Sequence, residues 1–168
     1  MSDQVVAAGD LHVSASAGAA IARLMTQYVH AIDNDELERW PQFFIEASVY
    51  QILPRPAFEQ GHPVGVWYCE NRGMLEDRVR SLREINVYEP HVYRHVIGPT
   101  EITGVSGGVY RAQTSYIVVR TMEDGGMSVF SAGRYVDEIV LEEDVALLQK
   151  RIVVTDSARF DTLVVIPI

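Results

Sequence analysis

The fold turns on Val109–Leu141, VYRAQTSYIVVRTMEDGGMSVFSAGRYVDEIVL. Apolar and polar side chains alternate along both halves of this stretch, the period of a strand whose two faces meet different surroundings. Between the halves, Glu123-Asp124-Gly125-Gly126 breaks the alternation. Asp-Gly is a hairpin signal because a primed turn needs positive φ. Strands joined by so short a connection pair antiparallel.

The same period extends on either side. His91–Thr103 and Val145–Ser157 are β-like runs, set off by Ser106-Gly107-Gly108 and by Glu142-Glu143-Asp144. Runs of this length exceed the usual five or six residues of a strand, so the sheet must twist and bend strongly. Gly98 and Gly133 are the candidate bend or bulge positions.

Upstream of Pro90 the period is helical. Ser14 or Ser16 can cap a helix in which Ile21, Leu24, Met25, Tyr28, Val29 and Ile32 form one apolar stripe. Asp33-Asn34-Asp35 ends it and can cap a short second helix, DELERW, interrupted by Pro41. Val49–Leu53 reads as a strand, RPAFEQGHPVG as a loop, and Asn71 as the cap of a third helix running to about Glu84. Arg72, Arg80 and Arg83 lie off that helix's apolar face, where solvation accounts for them. Residues 1–13 form a loose tail before a single domain over 14–168. Helices first and an antiparallel meander afterwards give an α+β fold, a curved antiparallel sheet wrapped around N-terminal helices.

Composition narrows the function. A net charge of −9 with no run of Lys or Arg disfavours nucleic acid and anionic membrane surfaces. No apolar run approaches the roughly 20 residues that cross a bilayer. One cysteine, Cys69, and the lack of a signal-peptide pattern point to a cytoplasmic protein. Cys69 has no cationic neighbour in sequence to activate it, so inert burial is expected. Gly-x-Gly-x-x-Gly and Walker-type patterns are missing from the sequence, and Ser106-Gly107-Gly108 reads as a turn.

Two constellations look chemical. His91 and His95 have the spacing that joins imidazoles on a helix, but here the pattern is β. Four residues of strand span roughly 13 Å, too far for a shared metal, and a hydrogen-bonded histidine at a packed surface is the expectation. His30 and Asp33 could share a helix face as base and orienting carboxylate, although Asp33 also suits a helix end. The apolar segment Asp161–Ile168 needs cover, either from the chain's own sheet or from another subunit.

Seven segments in order carry a resemblance that runs from about Ala20 to Ile168. They are Trp40-Pro41-x-Phe43-Phe44, Tyr50-x-Ile52, Asp77-Arg78-Val79-x-Ser81-Leu82-Arg83, Tyr93-Arg94-His95, Phe130-x-Ala132-Gly133-x-Tyr135, Asp156-Ser157 and Ile166-Pro167-Ile168. In these the chain resembles the small, or β, subunits of aromatic-ring-hydroxylating dioxygenases, the Rieske non-haem iron oxygenases. Around Pro54, Phe58–Gly61 and Arg78 it is most similar to members acting on aromatic carboxylates such as salicylate, terephthalate or anthranilate.

The resemblance implies the NTF2-like, SnoaL-like cone shared with nuclear transport factor 2 and ketosteroid isomerase. It also implies a non-catalytic role, with this chain supporting iron-containing large (α) subunits in an α3β3 hexamer. The Rieske 2Fe–2S cluster and the mononuclear Fe(II) are then expected on the large subunit, with NAD(P)H electrons arriving through a reductase or ferredoxin chain. The residue count agrees, since a Rieske centre needs two cysteines and two histidines. Trp40, Tyr93, Arg94, His95, Ile166 and Ile168 are the expected interface or interface-supporting residues. Because the same cone elsewhere hosts isomerases and dehydratases, the alternative is a stand-alone enzyme using Tyr28, His30, Asp33 and His95 inside the cone. A third reading is a ligand-binding module with an empty cone.

Overall fold

In the computed structural model the described residues are 13–62, 65–85, 88–160 and 164–168. The expected tail, 1–13, lies outside them except for Val13. Ser14 caps helix α1 (Ala15–Asp33), its hydroxyl accepting from Ala17 N at 3.1 Å. The helix buries Ala17, Ile21, Leu24, Met25, Tyr28 and Ile32 along one stripe. Asp35, at φ 58°, turns the chain out of the helix. A 3₁₀ segment, Leu37–Phe43, follows, and it contains Pro41 rather than ending at it.

Strand β1 (Phe44–Pro54) begins five residues earlier than Val49, where the alternation first becomes visible. The segment expected as a loop starts as a short helix, α2 (Arg55–Glu59), with Pro56 in its first turn. A three-residue strand, β2 (Trp67–Cys69), precedes α3 (Arg72–Glu84), whose cap Asn71 accepts from Met74 N at 2.9 Å. Leu75, Val79 and Leu82 face the core. Arg83 does more than meet water: it grips Asp35 and Glu38 with contacts of 2.8 Å to each and ties α3 to the 3₁₀ segment.

The meander is divided differently from the expected four runs. The first splits into β3 (His91–Ile97) and β4 (Glu101–Ser106) around Gly98-Pro99-Thr100, because proline cannot donate to a ladder. The others are β5 (Val109–Met122), β6 (Met127–Glu142) and β7 (Val145–Thr155). Gly107 and Gly108 both take positive φ, as a two-residue primed turn between β4 and β5 requires. In the β5–β6 loop only Gly125 does, so that hairpin closes through a longer loop than a primed pair.

The sheet runs β2-β1-β7-β6-β5-β3, with β4 also on β5. The expectation of an antiparallel sheet is corrected at one place. β1 and β7 pair in parallel, which the long intervening chain permits and a hairpin would forbid. Register shifts interrupt β5–β6 at Val118/Val119 and β6–β7 at Glu138/Ile139, and such bulges bend a sheet. Helix α1 touches both β3 and β7, which sit on either side of β5 and β6, so the sheet must curl around it. Gly133 marks a close approach rather than a bulge: a Cβ there would stand 2.0 Å from Val154 O on the next strand.

Gly133→Ala should therefore cost about 3 kcal/mol, because backbone cannot yield as a side chain can. An unchanged urea midpoint would show the two strands to be free to separate. Gly98→Ala, whose nearest neighbour is a side-chain carbon at 3.7 Å, should cost far less.

Candidate functional site

Two constellations of polar side chains occupy the curl of the sheet. The inner one is built on Asp137 of β6 and Arg151 of β7, which face each other across the ladder. Arg151 donates from Nε to Asp137 Oδ1 at 2.9 Å and from Nη2 to Asp137 Oδ2 at 2.7 Å, with both side chains fully buried. Its guanidinium lies between the rings of Tyr28 and Tyr135, 4.1 Å from each centroid. Burial pushes the Asp137 carboxyl up, against the pull of Arg151. For Arg151 burial acts downward, but Asp137 outweighs it and the cation is held.

The same interior receives the C-terminal segment. Tyr28 and Tyr50 each donate a hydroxyl to the main-chain oxygen of Ile168 at 3.0 Å, and Ile168 N donates to Tyr50 Oη at 3.1 Å. Trp67 donates from its indole to Val164 O at 2.9 Å. Burial pushes the phenols of Tyr28, Tyr50 and Tyr135 upward, so all three remain donors rather than bases. Tyr28, Tyr50, Tyr135, Arg151 and Ile168 have no accessible surface, so not even a water-sized void touches them. A substrate has no room at these groups.

The second constellation closes one end of the curl, where the last turn of α1 meets β3. Asp33 accepts from the backbone N of His95 at 2.9 Å and from His95 Nδ1 at 2.6 Å. Its carboxylate thus caps an outward amide of β3, and it is 1% exposed. Arg94 approaches the same carboxylate at 3.6 Å but is 65% exposed. The other ring nitrogen, His95 Nε2, is buried without a hydrogen-bond partner among the described residues. Asp33 therefore pairs with His95 on a distant strand, while His30 points to solvent.

The remaining expected site residues fall as follows. Trp40 is fully buried within this chain, edge-on to Phe44, Tyr50 and Trp67. Tyr93 stacks on Phe130 at 4.9 Å and lies between the rings of His91 and His95. His91 Nδ1 sits 2.7 Å from Glu89 O. Ile166 and Ile168 join the chain's own core, so the cover that the apolar end needed comes from within. Cys69 is buried, which pushes its thiol up; Arg78 pulls the other way but does not prevail. The Asp137–Arg151 pair went unrecognised in the sequence, where its one signal is a charge on the inward side of each of two alternating strands.

The profile of the SnoaL-like domain family matches residues 13–152. The anthranilate 1,2-dioxygenase small subunit of Burkholderia cepacia is 39% identical over 148 residues, covering 88% of this chain and 92% of the relative. The terephthalate 1,2-dioxygenase terminal oxygenase component subunit β2 of Comamonas sp. is 35% identical over 148 residues, covering 88% and 96%. A crystal structure described as the β subunit of an aromatic-ring-hydroxylating dioxygenase from Novosphingobium aromaticivorans superposes with a TM-score of 0.83 at 37% identity, covering 90% of this chain and 97% of that one. With its curled mixed sheet and its identity to these proteins over nearly its whole length, the chain belongs to the SnoaL-like domain family and, within it, to the small (β) subunits of aromatic-ring-hydroxylating dioxygenases.

Proposed function

We propose that this chain is the non-catalytic small subunit of a cytoplasmic, multicomponent oxygenase that hydroxylates the ring of an aromatic acid. It acts as a base on which iron-containing large subunits are held in register, three of each. The observation that carries this reading is the 39% identity, over 88% of the chain, to the small subunit of an oxygenase named for anthranilate. The packing at Tyr28 agrees with it, since a stand-alone enzyme using that phenol would need space beside it and there is none.

The donor set points the same way. A Rieske cluster takes two cysteines and two histidines, and this chain has one cysteine, which is buried. Among the described residues no three His, Cys, Asp or Glu side chains converge as a metal site would require. On this reading the iron centres, which supply electron transfer and oxygen activation, belong to the large subunit. This chain's contribution is shape and contact.

Within this reading Asp33, His95 and Arg94 have distinct tasks. Asp33 and His95 lock the end of α1 to β3 and so fix where Arg94 emerges. Arg94 then offers forked donors to a carboxylate of a neighbouring subunit. Tyr93, next to Arg94 on β3, and Ile166, which borders the same cavity as Asp33 and Tyr93, back that surface, whereas Trp40 and Ile168 pack on Tyr50 of β1.

Captured through a tag after co-expression with its large subunit, the chain should yield a red-brown complex. A colourless preparation that turns over an aromatic acid unaided would reject the reading. Asp33→Ala should cost the isolated chain about 2–4 kcal/mol, because it strands the buried donors of His95. Arg94→Ala should change the isolated chain's stability by less than about 0.5 kcal/mol yet lower hexamer content in sedimentation. Unchanged hexamer content would remove Arg94 from the interface.

A further inference from the structure

The subunit reading leaves open which face of this chain the large subunit covers. The candidate is the outer side of the sheet at β3, β5 and β6. Cross-strand partners there fall into three rows. Val92, Thr121 and Met127 form the first, Arg94, Val119 and Val129 the second, and Val96, Ile117 and Ala132 the third. Val92, Val96, Ile117, Met127 and Val129 are between 43% and 74% exposed. The grid holds no carboxylate, although the chain carries 23 acidic residues against 14 basic ones.

Beyond the grid this outer face turns polar, with Arg111, Gln113 and Ser115 exposed along β5. Helix α2 lies over β1 and β7, and in the row beside Ile117 the Arg134 guanidinium folds over the Phe58 ring of α2. Three strands about 4.8 Å apart and three outward residues about 6.8 Å apart give a footprint of roughly 300 Å². That is at the lower end of the largest patch a monomer exposes, often a functional one, and less than half of one partner's share of a stable interface. It would form the dry centre of a contact whose rim lies on the surrounding strands.

We infer that this grid is where the oxygenase large subunit docks, through an apolar face that carries a carboxylate for Arg94; the inference rests on the subunit reading above. Charge selects the occupant. Arg94 is the one charged side chain in the grid, and the carboxylate behind it, Asp33, is already bound by the backbone and ring of His95. Packing two grids face to face about Val119 sets Arg94 on Val129, for an axis along the strands, or on the second Arg94, for an axis across them. Either arrangement buries a guanidinium whose one carboxylate, Asp33 at 3.6 Å, is shared with His95, in a contact between two chains that each carry −9. A different chain can supply what a second copy cannot.

The test is co-expression with the large subunit and capture through a tag on this chain. Bound large subunit is measured by native mass spectrometry and by the absorbance of its cluster. Val129→Glu and Val96→Glu, on opposite columns of the grid, should each lower recovery tenfold or more. Val145→Glu, equally exposed but at the far end of β7, should leave recovery unchanged. Melting of each isolated variant should stay within about 2 °C of the parent, as for other surface changes. Undiminished recovery with both grid variants, while the parent recovers the large subunit, overturns this inference alone. So does a result in which the grid variants only dissociate copies of the isolated chain. A parent chain that recovers no large subunit overturns the subunit reading as well.

Discussion

The buried pair of Arg151 and Asp137 is the constraint around which the rest of the chain is arranged. Two charges without solvent contact are tolerable only when their geometry is close to ideal, and here two parallel hydrogen bonds and two aromatic faces supply it. Those partners come from α1, β6 and β7. The pair therefore sets the distance at which the first helix can sit against the sheet, and it ties the helix's apolar stripe to one register of the β6–β7 ladder.

Once that centre is set, the interior has a single way to close. Tyr28 and Tyr50 present hydroxyls that burial keeps protonated, and each needs an acceptor in a space that excludes water. The Ile168 oxygen supplies it, and Trp67 holds the same segment at Val164. A fold whose curved sheet could hold a small molecule is filled instead by its own chain. At the end of the curl Asp33 secures β3, and Arg94 of the same strand is largely exposed. Of the polar groups that look most chemical in the sequence, Asp33 and His95 hold α1 to β3 and His30 is exposed.

Much of this was legible from periodicity. The stripe on α1, the Asn71 cap of α3, and the alternation from Val109 to Leu141 each report a local rule that the backbone obeys wherever it lies. The Trp40-Pro41-x-Phe43-Phe44 and Tyr93-Arg94-His95 segments, taken with the others, carried the family. What periodicity missed has a common cause. The first residues of β1, the short β2 and the parallel pairing of β1 with β7 depend on which strand lies alongside, and a strand's own residues do not encode its neighbour. The helix at Arg55–Glu59 was hidden because Pro56 reads equally as a breaker and as a first-turn residue.

The site divides along the same line. By itself the sequence determined the class of fold, the absence of the sulfur ligands a Rieske centre needs, and the alternation that sets Arg94 on the opposite face from Tyr93 and His95; these follow from composition and from the two-residue repeat of a strand. Only the tertiary structure decided that Asp33 belongs with His95 rather than with His30, that the apolar C-terminal segment is covered by its own chain, and that nine residues from three strands form one acid-free face. Each of those is a meeting of residues far apart in the chain, set by how the sheet curls around α1, and no local pattern of residues carries that curvature.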